Sequence, residues 1–241
     1  MITVFWGARH GQGVTTTLVQ SALALLAEEQ SVKLVDADPD AADLALFYGQ
    51  GTPPLIDTLI EEAEQHDITW PSWGSWYKNS QAVLGNTKRQ FPLLASPDAA
   101  KRVVSALESV DTPDAHILCD IGSGLRDYLT VAFLSIAHRV VVVSKTELPD
   151  AIATQTALSY VSPRLQAEDR VIALLGQGSA TAEILRNTDA WRSVKIPETQ
   201  HAARMRGTGQ IVLPKQGTGL LEIVNPNKPQ GKGRSRWLSR S

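Results

Sequence analysis

Residues 2–7, Ile-Thr-Val-Phe-Trp-Gly, are a short apolar run that stops at a glycine. The next ten, Ala8-Arg9-His10-Gly11-Gln12-Gly13-Val14-Thr15-Thr16-Thr17, lead into a stretch with helical apolar spacing. Strand, glycine-containing loop, threonines and helix is the layout of a phosphate-binding loop, in which backbone N–H groups and a helix N-terminus cradle phosphates. A buried strand that feeds a helix in this way belongs to α/β architectures. One residue breaks the pattern. The lysine that reaches β- and γ-phosphates in such loops precedes the first threonine, and that position is Val14.

The rest of the chain alternates in the same style. Leu18, Val19, Ala22, Leu25 and Leu26 predict a helix over 15–29, and Val32–Val35 a second strand. Helices are expected over 41–47 and 55–63, short strands near 82–84 and 91–95, and a helix over 97–110 with Val103, Val104, Leu107 and Val110 on one face. A strand at 117–120, a helix over 127–137, the apolar strand RVVVVS at 139–144, a helix over 150–165 and the strand RVIALLG at 170–176 follow. Short helices are expected at 181–186 and 199–206, and a last one at 218–224. Continuous apolar strands between helices indicate a doubly wound, mainly parallel sheet flanked by helices on both faces. Two strands end in acids: Val32-Lys33-Leu34-Val35-Asp36-Ala37-Asp38-Pro39-Asp40, and Ile117-Leu118-Cys119-Asp120 followed by Ile121-Gly122-Ser123-Gly124. Acids at strand ends stand where α/β sheets bind ligands, beyond the carboxyl edge.

The 241 residues suit one large α/β domain over 1–224. The formal net charge of −2 gives no global field that would select nucleic acid. The single cysteine, Cys119, excludes an internal disulfide framework and a multi-cysteine metal site. The opening MITVFWG reads as a strand, so no signal peptide is expected, and no run of 18 apolar residues is present. A cytoplasmic protein is expected, with peripheral attachment to the inner membrane as a variant.

The order of the loop, the Asp36-Ala37-Asp38-Pro39 strand end and the Asp120…Gly124 strand end resembles the ParA/MinD family of deviant-Walker P-loop ATPases. Phe91-Pro92-Leu93-Leu94-Ala95 and the stretch from Val194-Lys195-Ile196-Pro197 to Arg206-Gly207-Thr208-Gly209-Gln210-Ile211-Val212 are similar to later family motifs. Family members dimerise around nucleotide and position cellular cargo. The resemblance implies that Gly11, Gln12, Gly13, Val14, Thr15 and Thr16 cradle the phosphates. Thr15, Asp36 and Asp120 would surround Mg²⁺, and Asp38 would polarise the attacking water. Arg9 stands in place of the signature lysine that reaches the partner subunit's nucleotide. Gln177 and Pro197 would line the base pocket. His10 replaces a family glycine and Asp40 a frequent glutamine; a lone histidine is usually structural or solvated. Loss of the Walker lysine removes a charge-assisted bond of about 1.5–3 kcal/mol, so affinity should fall by roughly one to two decades. Turnover should fall further, because that lysine meets charge developing in the transition state.

Three functions are compatible with these residues. One is a degenerate positioning or assembly factor for pilus, secretion or conjugation machinery or for DNA partitioning, similar to the atypical TadZ/CpaE group, binding ATP or ADP weakly with Mg²⁺ and at most a weak ATPase. Another is an active partitioning or cell-division ATPase in which Arg9 replaces the lysine. The third is a structural interaction module that binds no nucleotide. A homodimer and a protein partner within a larger assembly follow from the first two. Trp70, Trp73 and Trp76 lie in a Pro/Gly-containing loop that either caps the sheet edge or forms an exposed recognition patch.

Residues 225–241 change character, with five basic residues, no acid and a Pro/Gly/Ser-rich composition that predicts disorder. This tail is either solvated or a contact for DNA or an anionic membrane. Deleting residues 226–241 is expected to remove salt-sensitive binding to DNA or anionic liposomes, read by co-sedimentation across a salt series, while a thermal melt stays unchanged.

Overall fold

A computed structural model describes residues 1–47, 54–76, 80–86, 88, 92, 94–125, 127–176, 185, 188, 191–196 and 219–225. The elements are β1 (Ile2–Gly7), α1 (Val14–Ala27), β2 (Ser31–Asp36), a 3-10 helix (Asp43–Phe47), α2 (Ile56–Ala63), β3 (Gly74–Ser75), β4 (Gln81–Val83) and α3 (Pro97–Glu108). Then come β5 (Ala115–Ser123), α4 (Tyr128–Ile136), β6 (Arg139–Lys145), α5 (Leu148–Val161), β7 (Asp169–Leu175), β8 (Arg192–Ile196) and α6 (Leu220–Val224).

The strands form one sheet in the order β3-β4-β2-β5-β1-β6-β7-β8, and every pairing except β3–β4 is parallel. The expected doubly wound, mainly parallel sheet is therefore the architecture found. Period-two alternation splits each central strand between two cores. Ile2, Val4 and Trp6 of β1 and Val140 and Val142 of β6 face one side, packed against residues of α2, α3, α4 and α5. Phe5, Val141 and Val143 face the other, with Leu18, Leu23 and Leu25 of α1 and Leu220 and Ile223 of α6. Cys119 is buried in the first core as a packing residue.

Local chemistry explains the helix starts. Ser96 caps α3, its Oγ accepting the Ala99 N–H at 3.1 Å, and Pro97 occupies the first turn. Asp127 caps α4, accepting the Thr130 N–H at 2.7 Å. The segment after β2 departs from the helix expected over 41–47. Asp38 Oδ1 accepts the N–H groups of Asp40 and Ala41, and Asp36 Oδ2 accepts that of Leu44 at 3.2 Å. These carboxylates hold residues 38–44 as a loop, so only the 3-10 helix at Asp43–Phe47 forms.

The other differences lie at the sheet edges. Pro92, Leu94 and Ala95 are not in a strand, against the strand expected over 91–95, and Phe91 and Leu93 lie outside the described residues. The predicted helix over 150–165 ends at Val161, and Ser162–Arg164 tightens into a 3-10 turn around Pro163. The tryptophan loop contributes β3, paired antiparallel with β4. Trp70 and Trp76 are buried, one in each core, and Trp73 packs on Trp70 with ring centroids 5.5 Å apart. The Lys33 ammonium lies 5.0 Å above the Trp73 ring. Two of the three indoles thus cap the edge of the sheet; Tyr77 lies outside the described residues. So do Gln177, Pro197, all but Leu185 of the segment 181–186, the segment 199–206 and the tail 226–241.

Trp6 ties the core to the loops beyond the sheet. It is fully buried and its indole N–H donates to the Gly124 carbonyl at 2.6 Å. Trp6→Phe removes that donor and leaves both a small void and an unpartnered carbonyl. A loss of about 1–3 kcal/mol is expected from the orphaned group, measurable as a lower urea midpoint at unchanged slope.

Candidate functional site

Three loops leave the carboxyl edge side by side, because β2, β5 and β1 are adjacent and parallel. The first follows β1, the second follows β2 and the third ends β5. They enclose a cleft of about 320 Å³ lined by residues 9–16 with Asp38, Ala41, Asp43, Gly122 and Ser123. The N-terminus of α1 opens into it. Gly13 caps the helix at φ 87°, a left-handed conformation that favours glycine, and a Cβ there would meet the terminal methyl of Leu175 at 2.9 Å. No side chain caps α1, and its first bond runs from Thr17 N–H to the Gly13 carbonyl at 2.9 Å. The N–H groups of Val14, Thr15 and Thr16 therefore have no intrahelical partner and stand at the cleft, an anion-binding arrangement.

Gln12 sets the shape of the loop. Its side chain is buried; Oε1 accepts the Arg9 N–H at 3.1 Å, and Nε2 lies 3.4 Å from Asp150 Oδ1 and 3.4 Å from Thr154 Oγ1 on α5. Thr154 in turn donates to Ser144 Oγ at 3.0 Å, at the end of β6. This chain of polar contacts pins the loop to the next strand–helix unit. The sequence places Gln12 in the loop, but its partners Asp150 and Thr154 are 138 and 142 residues away. The available signal was topological: α5 starts at the same sheet edge.

Val14 lines the cleft yet is buried, and belongs to the core that holds Phe5 and Leu18. Its Cγ2 lies 2.9 Å from where a Cβ on Gly7 would stand. The position of the absent lysine is filled by apolar packing. Arg9 and His10 are exposed at the rim, Arg9 with Nη1 3.8 Å from Asp150 Oδ1.

The acids divide into two roles. Asp36 and Asp120 are paired in register at the ends of β2 and β5. Asp36 is buried and spends its oxygens on the loop, Oδ1 facing the Asp38 N–H at 3.4 Å and Oδ2 the Leu44 N–H. It is not among the cleft-lining residues. Asp38 does line the cleft and packs on Gly122, whose φ of 64° and lack of a side chain are needed there: a Cβ would sit 2.4 Å from the carboxylate. Burial raises the Asp38 pKa, the N–H groups of Asp40 and Ala41 oppose it, and the charges of Asp40 and Asp43 add to the rise. Burial also pushes Asp120 up to about 7; the charge of Asp38 adds to this, while the Thr15 hydroxyl and the Gly122 N–H act the other way.

Asp120 Oδ2 is buried and has no partner in hydrogen-bond geometry. The Thr15 hydroxyl is near enough to favour the charged form but leaves that oxygen uncommitted. An orphaned carboxylate oxygen beside a threonine hydroxyl fits a divalent cation that takes one or two protein ligands and fills the rest with water and phosphate, as Mg²⁺ does. Among the described residues no group of three or more His, Cys, Asp or Glu could cage a metal. The donor set therefore suits a cation that arrives with a phosphate ligand.

No family model and no curated protein matches the sequence. Solved structures do match the fold. A ParA family ATPase from Chlorobium tepidum TLS superposes with a TM-score of 0.68 at 16% identity, covering 96% of this chain and 94% of that one. The septum site-determining protein MinD from Pyrococcus horikoshii OT3, complexed with Mg-ADP, gives 0.61 at 19%, covering 92% and 85%. A chain of the MinC:MinD cell division protein complex of Aquifex aeolicus gives 0.59 at 15%, covering 89% and 98%. Among the described residues no helix is long and apolar enough to cross a membrane.

The raised acids predict a pH dependence. Asp120 titrates near 7 when folded, against an ordinary value of 3.8. Between these pH values the folded state holds a proton that the unfolded state has released. The contribution of Asp120 to stability is therefore lost as pH rises from about 4 to 7, and that loss is complete above 7. Asp120→Asn removes the ionisation and is expected to be more stable than the parent at pH 8 and to flatten the fall between pH 4 and 7. Urea midpoints across that range check it; an advantage of the variant over the parent that does not grow from pH 4 to 7 would contradict it.

Proposed function

The chain has the fold of the ParA/MinD ATPases, and on that premise we propose that it is a degenerate nucleotide-binding positioning or assembly factor. In this proposal it binds ATP or ADP weakly with Mg²⁺ and turns nucleotide over slowly or not at all. The observation that carries it is an anion cradle kept open at the N-terminus of α1 while Val14, in the lysine's place, is packed into the core. The backbone of Gly11, Gln12, Gly13, Val14, Thr15 and Thr16 would hold the phosphates. Thr15 and Asp120 would meet the cation, with Asp36 shaping the loop behind them. The cation, when bound, would offset the negative charge that phosphate and the two cleft acids bring together. Asp38 lines the cleft, where it could orient a water.

Pairing with a second copy and recruitment by a protein partner follow from the same premise; the fold neighbour in a MinC:MinD complex supports a partner protein. The assembly it serves, whether pilus, secretion or conjugation machinery or partitioned DNA, is set by that partner. One observation favours the variant in which Arg9 replaces the lysine: Arg9 lines the cleft. Brisk ATPase activity lost in Arg9→Ala would select it.

Val14→Lys is the direct test. The stem of the lysine follows the apolar contact of Val14, and its ammonium reaches the polar side. Calorimetry is expected to show Mg-ATP binding about tenfold tighter or more, the equivalent of one charge-assisted bond. An unchanged affinity in a folded variant, together with no binding by the parent at millimolar ATP, would replace the proposal with a module that binds no nucleotide.

A further inference from the structure

Among the described residues, the basic side chains that line the cleft are Arg9 and His10. Both are already facing an anion of the same chain. His10 Nε2 lies 3.2 Å from Asp40 Oδ2, and its Nδ1 lies 3.0 Å from Ser123 Oγ. The ring therefore bridges the loop after β2 and the end of β5 across the cleft mouth. Arg9 Nη1 lies 3.8 Å from Asp150 Oδ1, the same oxygen that faces Gln12 Nε2. Neither Asp40 nor Asp150 is a cleft-lining residue; each meets a lining cation from the rim.

A phosphate chain entering this cleft finds backbone N–H groups at α1 but no lysine. Among the described residues, the basic partners left to it are the two that carboxylates face. Phosphate and carboxylate compete for the same donors, because both accept charge-assisted hydrogen bonds from imidazolium and guanidinium. Both cations are about half exposed, Arg9 at 53% and His10 at 55%. Pairs in such settings are weak and exchange readily. They can delay a ligand without excluding it.

We propose that Asp40 and Asp150 are internal competitors for the anionic ligand, holding His10 and Arg9 until a phosphate chain displaces the carboxylates. This rests on the phosphate-binding role proposed above. It separates Asp40 from Asp38: Asp38 fixes the Asp40 backbone through its N–H at 2.9 Å, and the Asp40 side chain reaches outward to His10.

The test is calorimetry with sodium tripolyphosphate and with Mg-ATP, at low salt and about pH 6, where a histidine is able to carry charge. The proteins are the parent, Asp40→Asn, Asp150→Asn, and the double variants Asp40→Asn/His10→Ala and Asp150→Asn/Arg9→Ala. Each single variant is expected to bind tripolyphosphate about two- to fivefold tighter, the range of a weak exposed pair. Each gain should vanish when its cation is also removed. A gain that persists with His10→Ala would mean that Asp40 only repels anions, and would overturn the proposal, as would unchanged affinity in Asp40→Asn. Asp150 also supports Gln12, so Asp150→Asn is paired with a thermal melt and Asp40→Asn carries the test by itself. Gains with tripolyphosphate but no Mg-ATP binding would uphold the competition and remove the nucleotide role. Equal Mg-ATP and tripolyphosphate binding by every protein would do the reverse, and no binding of either would overturn both.

Discussion

β1 runs between β5 and β6 with every residue from Ile2 to Gly7 buried, and both neighbours run in its own direction. A strand so placed has to be apolar on both faces, and its loop has to emerge where its neighbours' loops emerge. That single constraint gathers the phosphate loop and the two acid-ended strands at one edge. Trp6 then couples packing to the site. Its side chain fills the core beneath α4 while its N–H holds the Gly124 carbonyl, and the Gly124 N–H returns to the Gly7 carbonyl at 2.9 Å. The end of β5 cannot shift without disturbing the strand that supports the cradle.

The electrostatics of the cleft follow from what that edge collects. Asp38 and Asp120 are both buried there, and burial together with mutual repulsion favours a proton over a second charge. In a loop with its lysine, a fixed cation would offset these acids. Val14 offers none, and the cations that remain sit at the rim, each against a carboxylate. The cleft thus answers its charges with its own side chains: burial favours the neutral form of Asp38 and Asp120, and Asp40 and Asp150 face the basic groups at the rim. Any anion that enters has to disturb both balances, and a divalent cation arriving with it relieves the first.

Most of the central sheet was legible in the sequence because buried parallel strands read as unbroken apolar runs, as RVVVVS does in β6. The edges were legible only in part. The strand expected near 82–84 is β4, but the two-residue β3 carries too little pattern, and β8, RSVKI, alternates so that only Val194 and Ile196 are buried. The tryptophan loop was legible as an aromatic cluster but not as two indoles on opposite cores, since that depends on the strand direction of β3. At the site, the family resemblance pointed to Gly11, Gln12, Gly13, Val14, Thr15, Thr16 and Asp38, which the structure gathers around one cleft, and to Asp36 and Asp120, which are buried and not among its lining residues. Gln12 as an anchor and His10 as a bridge were not readable, because their partners come from other strand–loop units. The downstream base-pocket residues Gln177 and Pro197 fall outside the described residues and add nothing to this account.

Gln12 bears on what a bound ligand could be for. Phosphate loops present donors that burial would make costly to leave unmet. Here the Arg9 N–H is met by Gln12 Oε1, and the loop is fastened to α5 and β6 through Thr154 and Ser144. Asp36 and Asp38 do the same for the loop after β2. The cradle therefore keeps its shape from contacts within the chain and does not depend on phosphate to complete its core. A ligand that is not needed for folding is free to come and go. Its free energy of binding then appears as a difference between two states of one fold, which is the quantity a positioning factor has to convert into association with a partner. In the proposed role, valine where a lysine would grip the phosphates would keep that difference small and the bound state reversible.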